Sequence, residues 1–149
     1  MTKRLKSRVA TLLATSALLF GSSVTLGASN ATAATWTFEK GELFPSGSYT
    51  IVAYYNGTYA GLMDWRGDPL GGDPGDAFRV LDRLSDGHAM EAKMINPVTG
   101  RTATTRGHSA VYYSPWSTGD LTEGTNVYIQ LCAVKGDYSS CSPAYSGHA

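Results

Sequence analysis

The chain has 149 residues, with 12 Lys and Arg against 12 Asp and Glu, a formal charge of zero that hides an uneven distribution. Four of the basic residues lie in the first eight positions and no acid precedes Glu39, so residues 35–149 hold eight basic against 12 acidic groups, a net −4. A net-acidic domain with no basic run is a poor partner for nucleic acid, whose binding rests on Lys and Arg against phosphates.

Lys3, Arg4, Lys6 and Arg8 precede an apolar run from Val9 to Phe20, and small residues then lead to ATAA at 31–34. A charged start, a short apolar core and a small-residue exit are the parts of a secretory signal peptide. The run is too short and too rich in Thr and Ser for a membrane span. No Cys stands at the exit to carry a lipid, and the tail SGHA offers no apolar anchor. The reading is a signal peptide over residues 1–34 and a single secreted, extracellular domain over 35–149 with no membrane anchor after cleavage. About 115 residues suffice for one core. The abundance of Gly, Tyr and Thr and the scarcity of Leu and Lys make this a strand-and-turn composition.

The first clear hairpin is SYTIVAYYNGTYAGLMDW, residues 48–65. Asn56-Gly57 is the favoured pair for a two-residue type I′ turn. That turn predicts Tyr54 opposite Tyr59, Ala53 opposite Ala60 and Ile51 opposite Leu62. Ile51, Ala53, Ala60 and Leu62 then share one face, and Val52, Tyr54, Tyr59 and Met63 the other. Both faces are apolar, as in a strand pair covered on both sides or one with an aromatic outer face. Asn56-Gly57-Thr58 is also a formal glycosylation sequon, which the turn accounts for by itself.

RGDPLGGDPGD, residues 66–76, is too dense in Gly and Pro for regular structure. Asp64, Asp68, Asp73 and Asp76 crowd this stretch. Hard oxygen ligands on a flexible loop are the chemistry of calcium, and the four are the candidate ligands for the one cofactor the sequence points to. Their order does not follow an EF-hand loop, and Asp beside Pro or Gly is an ordinary turn residue. AFRVLDRL, residues 77–84, reads either as a strand on Phe78 and Val80 or as a short helix on Phe78, Leu81 and Leu84, with the strand preferred. Residues 88–95 alternate Met90, Ala92 and Met94 against Glu91 and Lys93, the pattern of a half-buried strand. RTATT (101–105) and SAVYYS (109–114) read as further strands, the second ending at Pro115-Trp116.

Thr125 to Val134 alternates Val127, Ile129, Leu131 and Ala133 against Tyr128, Gln130 and Cys132. Lys135-Gly136-Asp137 supplies a turn, and Tyr138 to Cys141 returns alongside. Cys132 and Cys141, the only cysteines, then meet across a hairpin. Two Cys nine apart fall short of a zinc set and do not spell the redox C-x-x-C, while export favours a disulfide. So short a loop predicts roughly 2.5–3 kcal/mol of stabilisation. The fold expected is all-β: a small β-sandwich or barrel of about seven or eight antiparallel strands with one disulfide hairpin.

No catalytic constellation is identified, and the reading is that the protein is not an enzyme. Gly107-His108-Ser109-Ala110-Val111 half matches the nucleophile elbow but lacks its last Gly and the α/β domain the elbow needs. His88, His108 and His148 stand at no metal-binding spacing. Trp65, Tyr112, Tyr113 and Trp116 sit at strand ends or beside a Pro/Ser/Gly loop. They are the candidate ligand contacts, since aromatics so placed stack on sugars or anchor a protein partner; burial in the core is the alternative.

The signal peptide, the Gly/Asp/Thr-rich strands and the closing pattern of strand, Cys132, short turn and Cys141-Ser142 resemble small exported proteins of actinobacteria. The stretch Asp82-x-x-x-Asp86-Gly87-His88 before an alternating strand adds to the likeness, which spans roughly the carboxyl-terminal half. The resemblance implies export and brings no active site or ligand with it. The function expected is a non-catalytic binding or structural module of the extracellular space or cell envelope, with an extracellular protein or cell-wall polysaccharide as partner. The alternative is an enzyme or toxin inhibitor, or an antimicrobial factor, presenting Ser114 to Asp120 as a rigid loop.

Overall fold

A computed structural model describes residues 34–149; the expected signal peptide lies, Ala34 apart, outside them. Among the described residues ten strands follow one another without a helix: β1 (Trp36–Lys40), β2 (Tyr49–Tyr55), β3 (Thr58–Arg66), β4 (Ala77–Asp82), β5 (Ala89–Asn96), β6 (Thr102–Thr104), β7 (Tyr112–Tyr113), β8 (Asn126–Lys135), β9 (Tyr138–Cys141) and β10 (Tyr145–His148). The first sheet runs β1-β2-β3-β4-β7. The second runs β10-β8-β5-β6, with β9 also on β8. Every pairing is antiparallel.

Ten strands replace the seven or eight expected. The additional ones are β1, whose Trp36 and Phe38 alternate with Thr37 and Glu39, and β10, whose YSGH has too little apolar pattern to announce itself. The expected strand 109–114 shrinks to Tyr112–Tyr113. The other segments read as strands form where the alternation placed them, because period two carries one apolar face inward along each. Trp36, Tyr49, Ile51, Ala53, Met63, Trp65, Phe78 and Val80 of the first sheet meet Met90, Ala92, Met94, Ala103, Val127, Ile129, Leu131 and Ala133 of the second in one buried cluster.

The hairpin turn forms as predicted, with Asn56 at φ 49° and Gly57 at φ 77°. Tyr54 pairs with Tyr59, but Ala53 pairs with Gly61 rather than Ala60. Ala60 is an extra residue on β3, a bulge. Beyond it the expected register is off by one: Leu62 faces outward opposite Val52, and Met63 enters the core opposite Ile51. Gly61 permits this, since a Cβ there would stand 2.2 Å from the Leu81 carbonyl oxygen of β4. The Ala60 carbonyl instead accepts a hydrogen bond from Arg83 N at 2.8 Å.

Cys132 and Cys141 are directly opposed on β8 and β9 and joined as a disulfide, as read from their spacing.

Candidate functional site

The outward side of the first sheet carries a row of half-buried aromatics around the exposed Tyr113, while Tyr128 and Tyr138 are exposed singly on the second sheet. The bulge and the pairings Leu62–Leu81 and Leu81–Tyr113 carry a row of outward residues across β2, β3, β4 and β7. Leu81, although outward, is buried beneath larger neighbours. Tyr54 and Tyr59 face each other across the hairpin with ring centroids 6.2 Å apart. The Arg83 guanidinium lies 5.1 Å from the Tyr59 ring. The Arg79 guanidinium lies between two rings, 4.7 Å from Tyr113 and 4.2 Å from Trp116. Four rings and two guanidiniums thus cross the sheet as one stripe.

The segment after β7 holds Trp116 in place. Ser114 N donates to the Val80 carbonyl at 2.9 Å and Val80 N donates to Ser114 Oγ at 3.1 Å. Phe78 and Ser117 exchange backbone hydrogen bonds of 3.1 and 2.8 Å. Arg101 Nη2 donates to the carbonyls of Asp76 and Ser117, each at 2.6 Å. Residues 114–117 are therefore laid along β4, and the disulfide lies in the other sheet.

Electrostatics favour fixed rings. Asp64 Oδ2 is 3.2 Å from Arg66 and 3.8 Å from Arg79, neutralising part of the stripe's positive charge. Burial pushes the Asp64 carboxyl above its ordinary value, and the two guanidiniums oppose that push. Burial likewise raises the Tyr59 phenol, helped by the nearby Tyr113 phenol. Arg between aromatic faces gains cation–π attraction, and its planar group suits the stacked geometry.

Of the four aromatics singled out in the sequence, Tyr113 and Trp116 belong to this stripe. Tyr113 is 47% exposed. Tyr112 points to the other side of β7 and lies flat on His108, centroids 3.8 Å apart and planes 6° apart. Trp65 is fully buried, its indole donating to the His148 carbonyl at 3.2 Å. It is a core residue and cannot reach a ligand: β3 turns it inward between Tyr49 and Phe78.

Of the four Asp residues, Asp64 and Asp73 share Arg66 and the others are held apart. Asp64 serves the arginines, and Asp68 is exposed. Asp73 exchanges backbone hydrogen bonds with Leu70 and lies 3.9 Å from Arg66. Asp76 Oδ2 accepts from Leu121 N at 2.7 Å. Among the described residues no three His, Cys, Asp or Glu side chains gather in a metal-binding group.

His88 and His108 come to one cleft of about 420 Å³, and His148, on β10, does not line it. Asp82, Ser85, Arg106, Ser109 and Lys135 complete its polar lining. The His88 ring is enclosed by Trp36, Tyr55 and Tyr138, with centroids 5.3, 5.6 and 5.7 Å away, and Nδ1 is 3.4 Å from Asp86 Oδ1. Nδ1 nonetheless makes no hydrogen bond. The 3.4 Å contact is therefore a close approach rather than a directed bond.

Sequence reasoning missed Arg79, Arg83, Tyr54 and Tyr59 as site residues. The signal was present in F-R-V-L-D-R, where both Arg fall on the outward parity of a strand whose Phe78 and Val80 face in. No family model, no curated protein and no solved structure matches the chain.

Proposed function

We propose that this protein is an exported β-sandwich that binds an extended cell-envelope polysaccharide on the outer face of its first sheet, without catalysis. The observation that carries this reading is the stripe Tyr54–Tyr59–Arg83–Tyr113–Arg79–Trp116. Across β2, β3, β4 and β7 it crosses three interstrand gaps, a span of roughly 14 Å at about 4.8 Å each. Aromatic faces take the apolar side of a sugar ring, and the phenol and guanidinium groups beside them exchange hydrogen bonds with its hydroxyls. The rings are held by guanidiniums and by backbone hydrogen bonds, so little side-chain freedom is left to lose on binding. A flat face suits a chain lying across strands better than a small molecule, which prefers a concavity. The disulfide, and the lack among the described residues of a helix long and apolar enough to cross a membrane, are compatible with an extracellular location.

The test compares wild type, Tyr113→Ala and Trp116→Ala for retention on insoluble cell-wall polysaccharide and for thermal midpoint. Each variant should lose on the order of tenfold in retention, as loss of a stacking aromatic anchor does. The midpoint of Tyr113→Ala should move by no more than a few degrees, because its ring is half exposed. Wild type that washes off every envelope fraction, or variants that stay bound as well as wild type, would refute the reading.

A further inference from the structure

The cleft beneath Tyr112 has a different chemistry from the sheet face, and its charged groups are sorted by position. Lys135 Nζ has no ion-pair or hydrogen-bond partner among the described residues. A Cβ on Gly87 would approach this ammonium to 3.0 Å, so the glycine is what leaves it room. The Arg106 guanidinium is 44% exposed and bonds Glu91 through Nε alone, at 3.2 Å, leaving its two terminal nitrogens without a protein partner. His108 presents an exposed imidazole whose orientation is set by the Tyr112 stack. Asp82 is 3% exposed; its Oδ1 accepts from Leu84 N at 3.2 Å, and Oδ2 takes no hydrogen bond from the protein. Ser109 on the loop beside it is exposed, with a free hydroxyl.

Lys135 and Arg106, with the imidazoles of His88 and His108, give one void a basic lining that an anion would complement. A bare inorganic anion would be repelled by Asp82. A ligand that carries a carboxylate and, away from it, hydroxyl donors satisfies the whole lining. The cleft volume of about 420 Å³ falls at the small end of the roughly 300–1,000 Å³ of ligand pockets, the size class of a single sugar ring rather than a polymer. We propose that this cleft binds one acidic saccharide unit, with its carboxylate toward Lys135, Arg106 and His108 and its hydroxyls toward Asp82 and Ser109. This site stands on the cleft alone and does not depend on the sheet face binding anything.

Calorimetric titration of the protein with glucuronate, glucose and inorganic phosphate tests it. Glucuronate should bind, and glucose and phosphate should each bind at least tenfold more weakly. Lys135→Gln, at the exposed end of β8, should weaken glucuronate on the order of tenfold, as expected for a lost charge-assisted hydrogen bond, with an unchanged thermal midpoint. Ser109→Ala should weaken it a few-fold. Tyr113→Ala should leave it unchanged, which separates this site from the stripe. Absence of heat with glucuronate, glucose equal to glucuronate, phosphate equal to glucuronate, or an unaltered affinity in Lys135→Gln would each overturn the proposal.

Discussion

Replacing both Cys132 and Cys141 by Ser tests how the second sheet is closed. The two residues are nine apart in sequence and directly opposed on β8 and β9. A loop of about ten residues gives, by the chain-entropy relation, about 2.7 kcal/mol at 25 °C lost from the cross-linked state when the bond is absent. With an unfolding entropy of about 2.1 cal/mol/K per residue over about 116 residues, that free energy corresponds to a midpoint lower by about 11 °C. The native hairpin should survive, because Ala133–Ser140, Val134–Ser139 and Lys135–Tyr138 remain paired and Ser142 still bonds Leu131 in both directions. The expected loss therefore arises in the unfolded chain. Scanning calorimetry of wild type and the double variant gives the midpoint, and urea unfolding gives the slope m, which should rise slightly as the unfolded chain expands. A midpoint drop under about 3 °C would refute the entropic account. So would a double variant with no folded state, which would mean that the bond positions native packing rather than restricting the unfolded ensemble. Retention on polysaccharide should not change, since the disulfide lies in the sheet opposite the stripe.

Two further outcomes follow from the same geometry. Arg79→Lys keeps the charge near Asp64 but loses the planar group between Tyr113 and Trp116, so polysaccharide retention should fall about two- to fivefold, the worth of an exposed cation–π contact, with the midpoint unchanged; full retention would show that the rings do not need the guanidinium. Burial holds the Asp82 carboxyl above its ordinary 3.8, against the Leu84 hydrogen bond, and the nearby Asp86 adds to the rise while His88 opposes it. The stability its protonated form contributes is present below 3.8 and is lost as pH rises through the raised folded value, so wild type should lose stability relative to Asp82→Asn as the pH is raised from below 3.8; urea midpoints whose difference stays flat as the pH is raised would contradict it.

Much of the fold was legible because period two is a strong signal when one face is buried. Met90, Ala92 and Met94, and Val127, Ile129, Leu131 and Ala133, could be assigned to a core face by parity alone. The disulfide was legible for a related reason: the turn Lys135-Gly136-Asp137 fixed which residues of the two strands would meet. What escaped was decided by tertiary context. The Ala60 bulge depends on how closely Gly61 approaches the Leu81 carbonyl, and no local pattern records that distance. β10 carries one aromatic and two small residues, and it pairs only because β8 offers it an open edge. Trp65 sat at a strand end and beside a loop, and only the bulge-shifted register placed it on the inward side. Arg79 and Arg83 were readable as outward residues, but their partners Tyr113 and Tyr59 lie on other strands, and strand order is not written in any one segment.

The two outer faces of the molecule obey different rules, and the difference bears on function. An antiparallel sheet with one wet face ordinarily alternates apolar inward and polar outward. The second sheet largely follows this, with Glu91, Lys93, Thr104 and Gln130 facing out beside a single exposed ring, Tyr128, and Glu91 tied to Lys93 at 3.0 Å and Arg106 at 3.2 Å. The first sheet does not: Val52, Leu62 and Leu81 face out beneath Tyr54, Tyr59, Tyr113 and Trp116. Stability alone gives no reason to gather aromatic rings on a solvent face, because rings held half exposed forgo part of the burial that makes them worth having. Guanidiniums lie over three of those rings, 4.2–5.1 Å from their centroids. Such an arrangement gains its remaining burial when a ligand with its own apolar faces lies across it.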